Sequence, residues 1–158
     1  MRFKSAKLAG IVFIIYVFTM LFMISCKTNV FFPEVSSSPG GNNSHNMGED
    51  CMTCHKPQGS GGYTWYVAGT LYDRNGQNTV DGGKVYLYTK PNGGGELIAT
   101  LDIDAKGNFY TSKRVSFSGG LYPAVQRTNG TIQYMQEGVT GGTCNYCHNH
   151  STEKIFSD

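Results

Sequence analysis

The stretch WYVAGTLY, residues 65–72, alternates between two sets of side chains with the period of two that is typical of a β-strand. The same alternation recurs at 85–89 and 97–104, and shorter β-like runs follow at 109–110, 114–117, 121–126 and 131–135. Turn-forming pairs such as Asn75-Gly76 and Asn129-Gly130 separate these runs. About seven short strands at near-regular spacing predict a mainly β fold, an antiparallel, seven-strand-like sandwich over residues 63–136.

Three segments of this region also resemble a known module: VAGTLYD at 67–73, GGKVYL at 82–87 and TLDIDAKGNF at 100–109. They are similar to the carboxypeptidase regulatory-like (transthyretin-like) sandwich, which shows a Val-x-Gly strand, a Gly-x-x-Val strand and an Asp-x-x-Gly-x-Phe turn. The resemblance covers residues 65–126. It implies a structural or adhesive spacer without catalytic residues, so we expect the chemistry of the chain to lie outside the sandwich.

The pattern Cys-x-x-Cys-His occurs twice in the chain, on the two sides of the predicted sandwich. It is the attachment signal for c-type haem. Two thiols three positions apart can form thioethers with the two vinyl groups of the porphyrin, and the histidine that follows becomes the proximal iron ligand. The predicted thioether residues are Cys51, Cys54, Cys144 and Cys147, and the predicted proximal ligands are His55 and His148. The sequence therefore predicts two covalently bound haem c groups, as in dihaem and multihaem c-type cytochromes.

Two other interpretations of the four cysteines stay open. Paired Cys-x-x-Cys knuckles are typical of a zinc ribbon, and in an oxidising compartment they would suit a pair of disulfides. Neither interpretation explains why a histidine follows both knuckles, a coincidence expected about one time in 400 at one residue in twenty. Haem is therefore the preferred interpretation.

Each iron also needs a distal ligand or remains open to substrate. The chain has four histidines, so His45 and His150 are the two that remain after the motifs are counted. His150 lies two residues beyond His148, and side chains at that spacing point in different directions. This arrangement resembles closely packed multihaem cytochromes, in which such a histidine serves a neighbouring haem. We therefore predict a crossed pairing, His55 with His150 and His148 with His45.

Two alternatives to this pairing remain open. Met47 or Met135 could replace a histidine as distal ligand and would raise the potential of that haem. Alternatively, His45 or His150 could ligate a haem of a neighbouring molecule and so build a homo-oligomer with a continuous haem chain.

The first 25 residues have the layout of an export signal. Three basic residues precede an uncharged run of 17 residues, 8–24, and Met23-Ile24-Ser25-Cys26 resembles a bacterial lipobox. The resemblance implies that the Cys26 thiol is acylated and anchors the chain to a membrane; Met23 stands where that motif usually has leucine. An uncleaved membrane helix is the alternative, although 17 residues fall short of the ~20 needed to span a bilayer.

The predicted organisation has five parts. They are a lipoprotein signal peptide (1–25), a flexible linker rich in Ser, Gly, Asn and Pro (26–44), a loop-like first haem-binding segment (45–62), the sandwich (63–136) and a loop-like second haem-binding segment (137–158). Removing 25 of 158 residues would leave 133 residues, enough for one domain, with 10 basic against 11 acidic side chains. This balance argues against nucleic acid as a partner.

Together these features predict an exported, lipid-anchored dihaem cytochrome that carries electrons between extracytoplasmic redox partners, in particular other cytochromes. It would work by outer-sphere transfer and would not be an enzyme. We expect it in the periplasm or at the outer membrane or cell surface. A small dihaem peroxidase is one alternative, and an adhesion or sugar-contact sandwich with structural or sensing haems is another.

Overall fold

The computed structural model describes Tyr16 and residues 33–156, and it divides the chain into two units, Met1–Pro33 and Glu34–Asp158. The described part of the second unit contains seven strands in two sheets. The strands are β1 (Val67–Thr70), β2 (Lys84–Tyr88), β3 (Leu97–Asp102), β4 (Asn108–Thr111), β5 (Tyr122–Gln126), β6 (Ile132–Tyr134) and β7 (Gly142–Thr143). One sheet has the order β4-β1-β7 and the other the order β3-β2-β5-β6. The predicted mainly β fold class is confirmed.

An apolar cluster of described residues lies between the two sheets. The first sheet and the residue that follows β1 contribute three almost completely buried side chains, Val67, Phe109 and Leu71. Val85, Leu87 and Leu101 contribute from the second sheet. These residues alternate with more exposed ones along β2, as the sequence period requires of a strand with one face on the core. Burial of this cluster is the main stabilising contribution to the sandwich.

Two details of the sandwich differ from the predicted strand pattern. Residues 114–117 form no strand in the structure, although Val115 and Phe117 pack against the core from an irregular connection between the sheets. Their alternation thus reflects core packing without hydrogen-bonded pairing. The short strand β7 was not predicted, and it pairs with β1 in parallel, whereas the other strand pairs are antiparallel. The connection from β6 crosses to the other sheet before β7, which is what permits a parallel pair.

The described part of the predicted linker packs against the sandwich. Ser36 forms a bridge with Thr111 of β4, and the Ser37 amide donates to the Tyr110 carbonyl over 2.9 Å. The side chains of Ser37 and Ser44 are buried. Residues 36–44 thus run along the β4 edge, where a flexible spacer had been expected, and residues 26–32 lie outside the described residues.

The two Cys-x-x-Cys-His motifs form the described helices of this unit. Cys51–Thr53 is a short 3₁₀ helix, and Cys144–Cys147 forms one turn of α-helix, α1. Both pack against β1, which lies in the middle of its sheet. No helix among the described residues is long and apolar enough to cross a membrane. The predicted signal peptide and Cys26 lie outside the described residues.

Candidate functional site

The segments that carry the two motifs, whose first cysteines are 93 positions apart along the chain, meet at one buried hydroxyl group on β1. Thr70 is fully buried, and its Oγ1 accepts hydrogen bonds from the Gly48 amide and from Asn145 Nδ2, each 3.0 Å long. The same hydroxyl donates to Asn108 Oδ1 over 2.7 Å. Gly48 lies three residues before Cys51, the start of the first motif, and Asn145 lies inside the second motif. Thr70 therefore joins both motif segments to the central strand of the sheet.

Two direct hydrogen bonds between the segments reinforce this junction. Asn145 Nδ2 also donates to the Glu49 carbonyl over 2.9 Å, and Asn149 Nδ2 donates to the Gly48 carbonyl over 3.1 Å. Asn145 Oδ1 in turn accepts from the Thr70 amide over 3.0 Å. Since Asn145 is 3% exposed and has its amide group satisfied at both ends, the relative placement of the two segments is well defined.

In the first motif, local contacts orient the imidazole of His55. Its Nδ1 lies 3.1 Å from the Tyr63 carbonyl oxygen, and its ring stacks on Trp65 with 4.7 Å between centroids. A carbonyl only accepts, so Nδ1 must carry the proton in this hydrogen bond, which leaves Nε2 of the neutral ring with its lone pair. Gly61 makes room for the ring, because a Cβ there would lie 2.5–2.8 Å from three ring atoms.

His45 lies beside His55. Their ring centroids are 5.9 Å apart and the ring planes are tilted by 37°. The residue before His45, Ser44, is anchored by Asn108 Nδ2, which donates to its hydroxyl over 2.9 Å, and by Lys106 Nζ, which donates to its carbonyl over 2.6 Å. The structure thus brings His45 to the first motif, whereas the crossed pairing expected it at the second.

The second motif follows directly from β7. The pairing of Gly142 and Thr143 with Val67 and Ala68 sets the start of α1 against the sheet. Nδ1 of His148 lies 2.6 Å from the Glu153 carbonyl oxygen, so this imidazole too must donate through Nδ1 and keep the Nε2 lone pair. In the histidines of both motifs, therefore, Nε2 is the ring nitrogen that keeps its lone pair, although the two residues lie in different local structures.

A cavity of about 550 Å³ opens beside the second motif. Cys144, Cys147 and His148 line it from one side, and β5, β6 and the segment after β6, including Met135, line it from another. Core side chains of β2 and β4 contribute to the lining. A mainly apolar cavity of this size lies within the range of cofactor sites. All three residues that a covalent haem would use in the second motif thus face one suitable space.

The thiols of the motifs are buried to different extents. Burial raises the pKa of the Cys51 thiol to about 11 and that of the Cys144 thiol to about 12, so both are neutral thiols at physiological pH. Cys54 and Cys147 are exposed, and all four cysteines in the described residues are free.

The zinc alternative requires side chains that converge on one metal ion. Within residues 33–156, no group of three or more histidine, cysteine or acidic side chains is arranged to hold a metal ion directly. A structural zinc site needs four converging ligands.

His150, the other predicted distal ligand, is exposed and lies in the turn after α1, where its amide donates to the Cys147 carbonyl over 3.3 Å. Sequence reasoning missed the residues that hold the site together, namely Thr70, Asn108 and Asn145. Nothing in the local pattern distinguishes these polar residues from those of a solvated strand or loop. Their burial alone reveals their role.

A comparison with protein-family models, curated proteins and solved structures finds no match for this chain.

Proposed function

We propose that this chain is an exported, lipid-anchored dihaem c-type cytochrome that carries electrons between extracytoplasmic redox partners. Cys51 and Cys54 would hold one haem and Cys144 and Cys147 the other, with His55 and His148 as proximal ligands. The bound groups would supply iron centres that exchange single electrons. The chain itself would bind and orient them and present a docking surface for redox partners.

The observation that carries this proposal is the orientation of the two motif histidines. Each places Nδ1 against a backbone carbonyl, at 3.1 Å for His55 and 2.6 Å for His148. Histidines that bind metals almost always donate their other ring N–H in this way, since that fixes both the tautomer and the direction of the ring. Because both histidines occupy the same motif position and both direct Nδ1 at a backbone carbonyl, the arrangement supports an iron-ligand role for each.

The surroundings of the motifs support the same assignment. Covalent haem needs two thiols, an imidazole with a free Nε2 and apolar contact surface, and the second motif has all three in the lining of one cavity. The hydrogen bonds through Thr70 and Asn145 hold the two motifs side by side. Short distances between redox centres favour outer-sphere transfer, so this arrangement suits an electron carrier with two coupled centres.

The remaining parts of the chain complete the proposal. The sandwich, as its resemblance to the carboxypeptidase regulatory-like module implies, would act as a rigid frame that joins the haem-binding segments. Cys26 would attach the protein to a membrane after export, where haem c is also assembled. The near-equal numbers of basic and acidic residues agree with protein partners, such as other cytochromes, and argue against nucleic acid.

The test is the mass and the visible spectrum of the full-length protein, produced in a bacterial host that exports it and attaches haem c. We expect two haem additions, and one addition in each of two double variants, Cys51→Ser/Cys54→Ser and Cys144→Ser/Cys147→Ser. A protein without haem, or with zinc bound in its place, would overturn the proposal. Two haems with a dominant high-spin ferric signal would instead favour the peroxidase alternative, because an iron would then be open to peroxide.

A further inference from the structure

We infer that the two haem sites have different distal ligands: His45 completes the site of His55, and Met135 completes the site of His148. This inference rests on the proposed function, since it concerns the same two sites. It replaces the crossed pairing of histidines with two local pairings, and it makes the two redox centres chemically unequal.

The first pairing follows from the position of His45. Its ring centroid is 5.9 Å from that of His55. Two imidazoles bound to opposite sides of one metal, each through a bond of about 2 Å, have centroids roughly 6 Å apart. The buried Ser44 anchors the chain next to His45, and His45 itself is exposed, so its ring can adjust to an iron without disturbing the core.

The second pairing follows from the residues that line the cavity of the second motif. Met135 supplies the single thioether of that lining, and neither His45 nor His150 is among the lining residues described. The Met135 amide donates to the Pro123 carbonyl over 2.9 Å, which continues the pairing of β6 with β5 and fixes the residue at the cavity wall. Methionine sulfur is an established partner of histidine on haem iron in cytochromes c.

The two charged side chains of this lining are less suitable as ligands. Lys154 Nζ donates to the Gly76 carbonyl over 2.9 Å and lies 4.1 Å from the centroid of the Tyr72 ring, so its ammonium group is already engaged. Glu137 is exposed. Met47, the other methionine considered from the sequence, is 44% exposed and does not line the cavity. Met135 therefore combines a place in the lining with a side chain that is an established partner of histidine on haem iron.

Unequal ligands imply unequal reduction potentials. A methionine ligand raises the potential of haem iron relative to two histidines. In a stepwise reduction of the oxidised protein, the site of His148 should therefore accept the first electron and the site of His55 the second. The protein would thus favour electron flow from the first motif towards the second.

The test uses the full-length protein carrying both haems. Its oxidised near-infrared spectrum should contain the sulfur-to-iron charge-transfer band of methionine ligation, with an intensity that corresponds to one haem of the two. Met135→Leu should abolish this band and lower the higher of the two midpoint potentials. The matched control, Met47→Leu, makes the same chemical change at an exposed site and should alter neither.

Each outcome separates the inference from the proposed function. Two haems without the band in the unmodified protein would overturn the methionine assignment, even if Met135→Leu failed to fold, and loss of the band in Met47→Leu would overturn it equally. Absence of haem would overturn the proposed function itself.

For the first site, His45→Ala in the Cys144→Ser/Cys147→Ser background should convert the remaining haem from low spin to high spin. A low-spin spectrum that changes only with His150→Ala would restore the crossed pairing.

Discussion

The hydroxyl group of Thr70 is the most specific target for a test of the site architecture. The substitution Thr70→Val keeps the shape of the side chain and removes only its hydrogen-bonding capacity. Three hydrogen bonds are lost: those from the Gly48 amide and Asn145 Nδ2, and the one to Asn108 Oδ1. Because Thr70 is fully buried, water cannot replace the missing group.

The expected loss can be estimated from these contacts. A net contribution of about 1 kcal/mol for each hydrogen bond gives a decrease of about 3 kcal/mol in the free energy of unfolding. The partners left buried and unsatisfied can increase this value, since each such group costs about 1–3 kcal/mol. At about 4 °C per kcal/mol for a domain of this size, the melting temperature should fall by about 12 °C.

Urea unfolding of the variant, followed by circular dichroism, measures this loss. The control is Thr100→Val, the same chemical change at an exposed position of β3, for which we expect a change within about 0.5 kcal/mol. The Gly48 amide should also lose its protection from hydrogen exchange in Thr70→Val, because its acceptor is gone. If the two variants were equally stable, Thr70 would not join the motif segments to the sheet.

Three further predictions concern other parts of the chain. Gly61→Ala should shift the ring of the first motif histidine and alter the electron paramagnetic resonance signal of that haem alone, because the new Cβ would lie 2.5–2.8 Å from three ring atoms; a change in the signal of the other haem instead would contradict this. Gly69→Ala should destabilise the protein by about 1–3 kcal/mol in urea unfolding, because the new Cβ would collide with the Phe109 ring. The control is Gly141→Ala, at a position with open space around it, and equal stability of the two variants would contradict this packing. Cys26→Ala should remove the lipid mass and move the protein from the membrane fraction to the soluble fraction, and retention in the membrane would favour the uncleaved helix instead.

The strands show which parts of the fold a local sequence pattern can predict. The period of two located β1 to β5 to within a few residues, because a strand with one face on the core imposes that period on its own sequence. The same period wrongly predicted a strand at 114–117, where Val115 and Phe117 reach the core from an irregular segment. It also missed β7, since two residues are too few to show a period and their pairing with β1 depends on a distant part of the chain.

The sequence by itself determined the residue types and spacing of the two Cys-x-x-Cys-His motifs, the predicted export signal and the mainly β fold class, because all three depend on local order along the chain. Only the tertiary structure decided which residues meet. It placed His45 beside His55 and Met135 in the cavity of His148, and it buried Thr70 between two motifs that are far apart in sequence. The physical reason is that such contacts follow from sheet order and core packing, which couple distant segments through burial and hydrogen bonding and leave no periodic trace in either one.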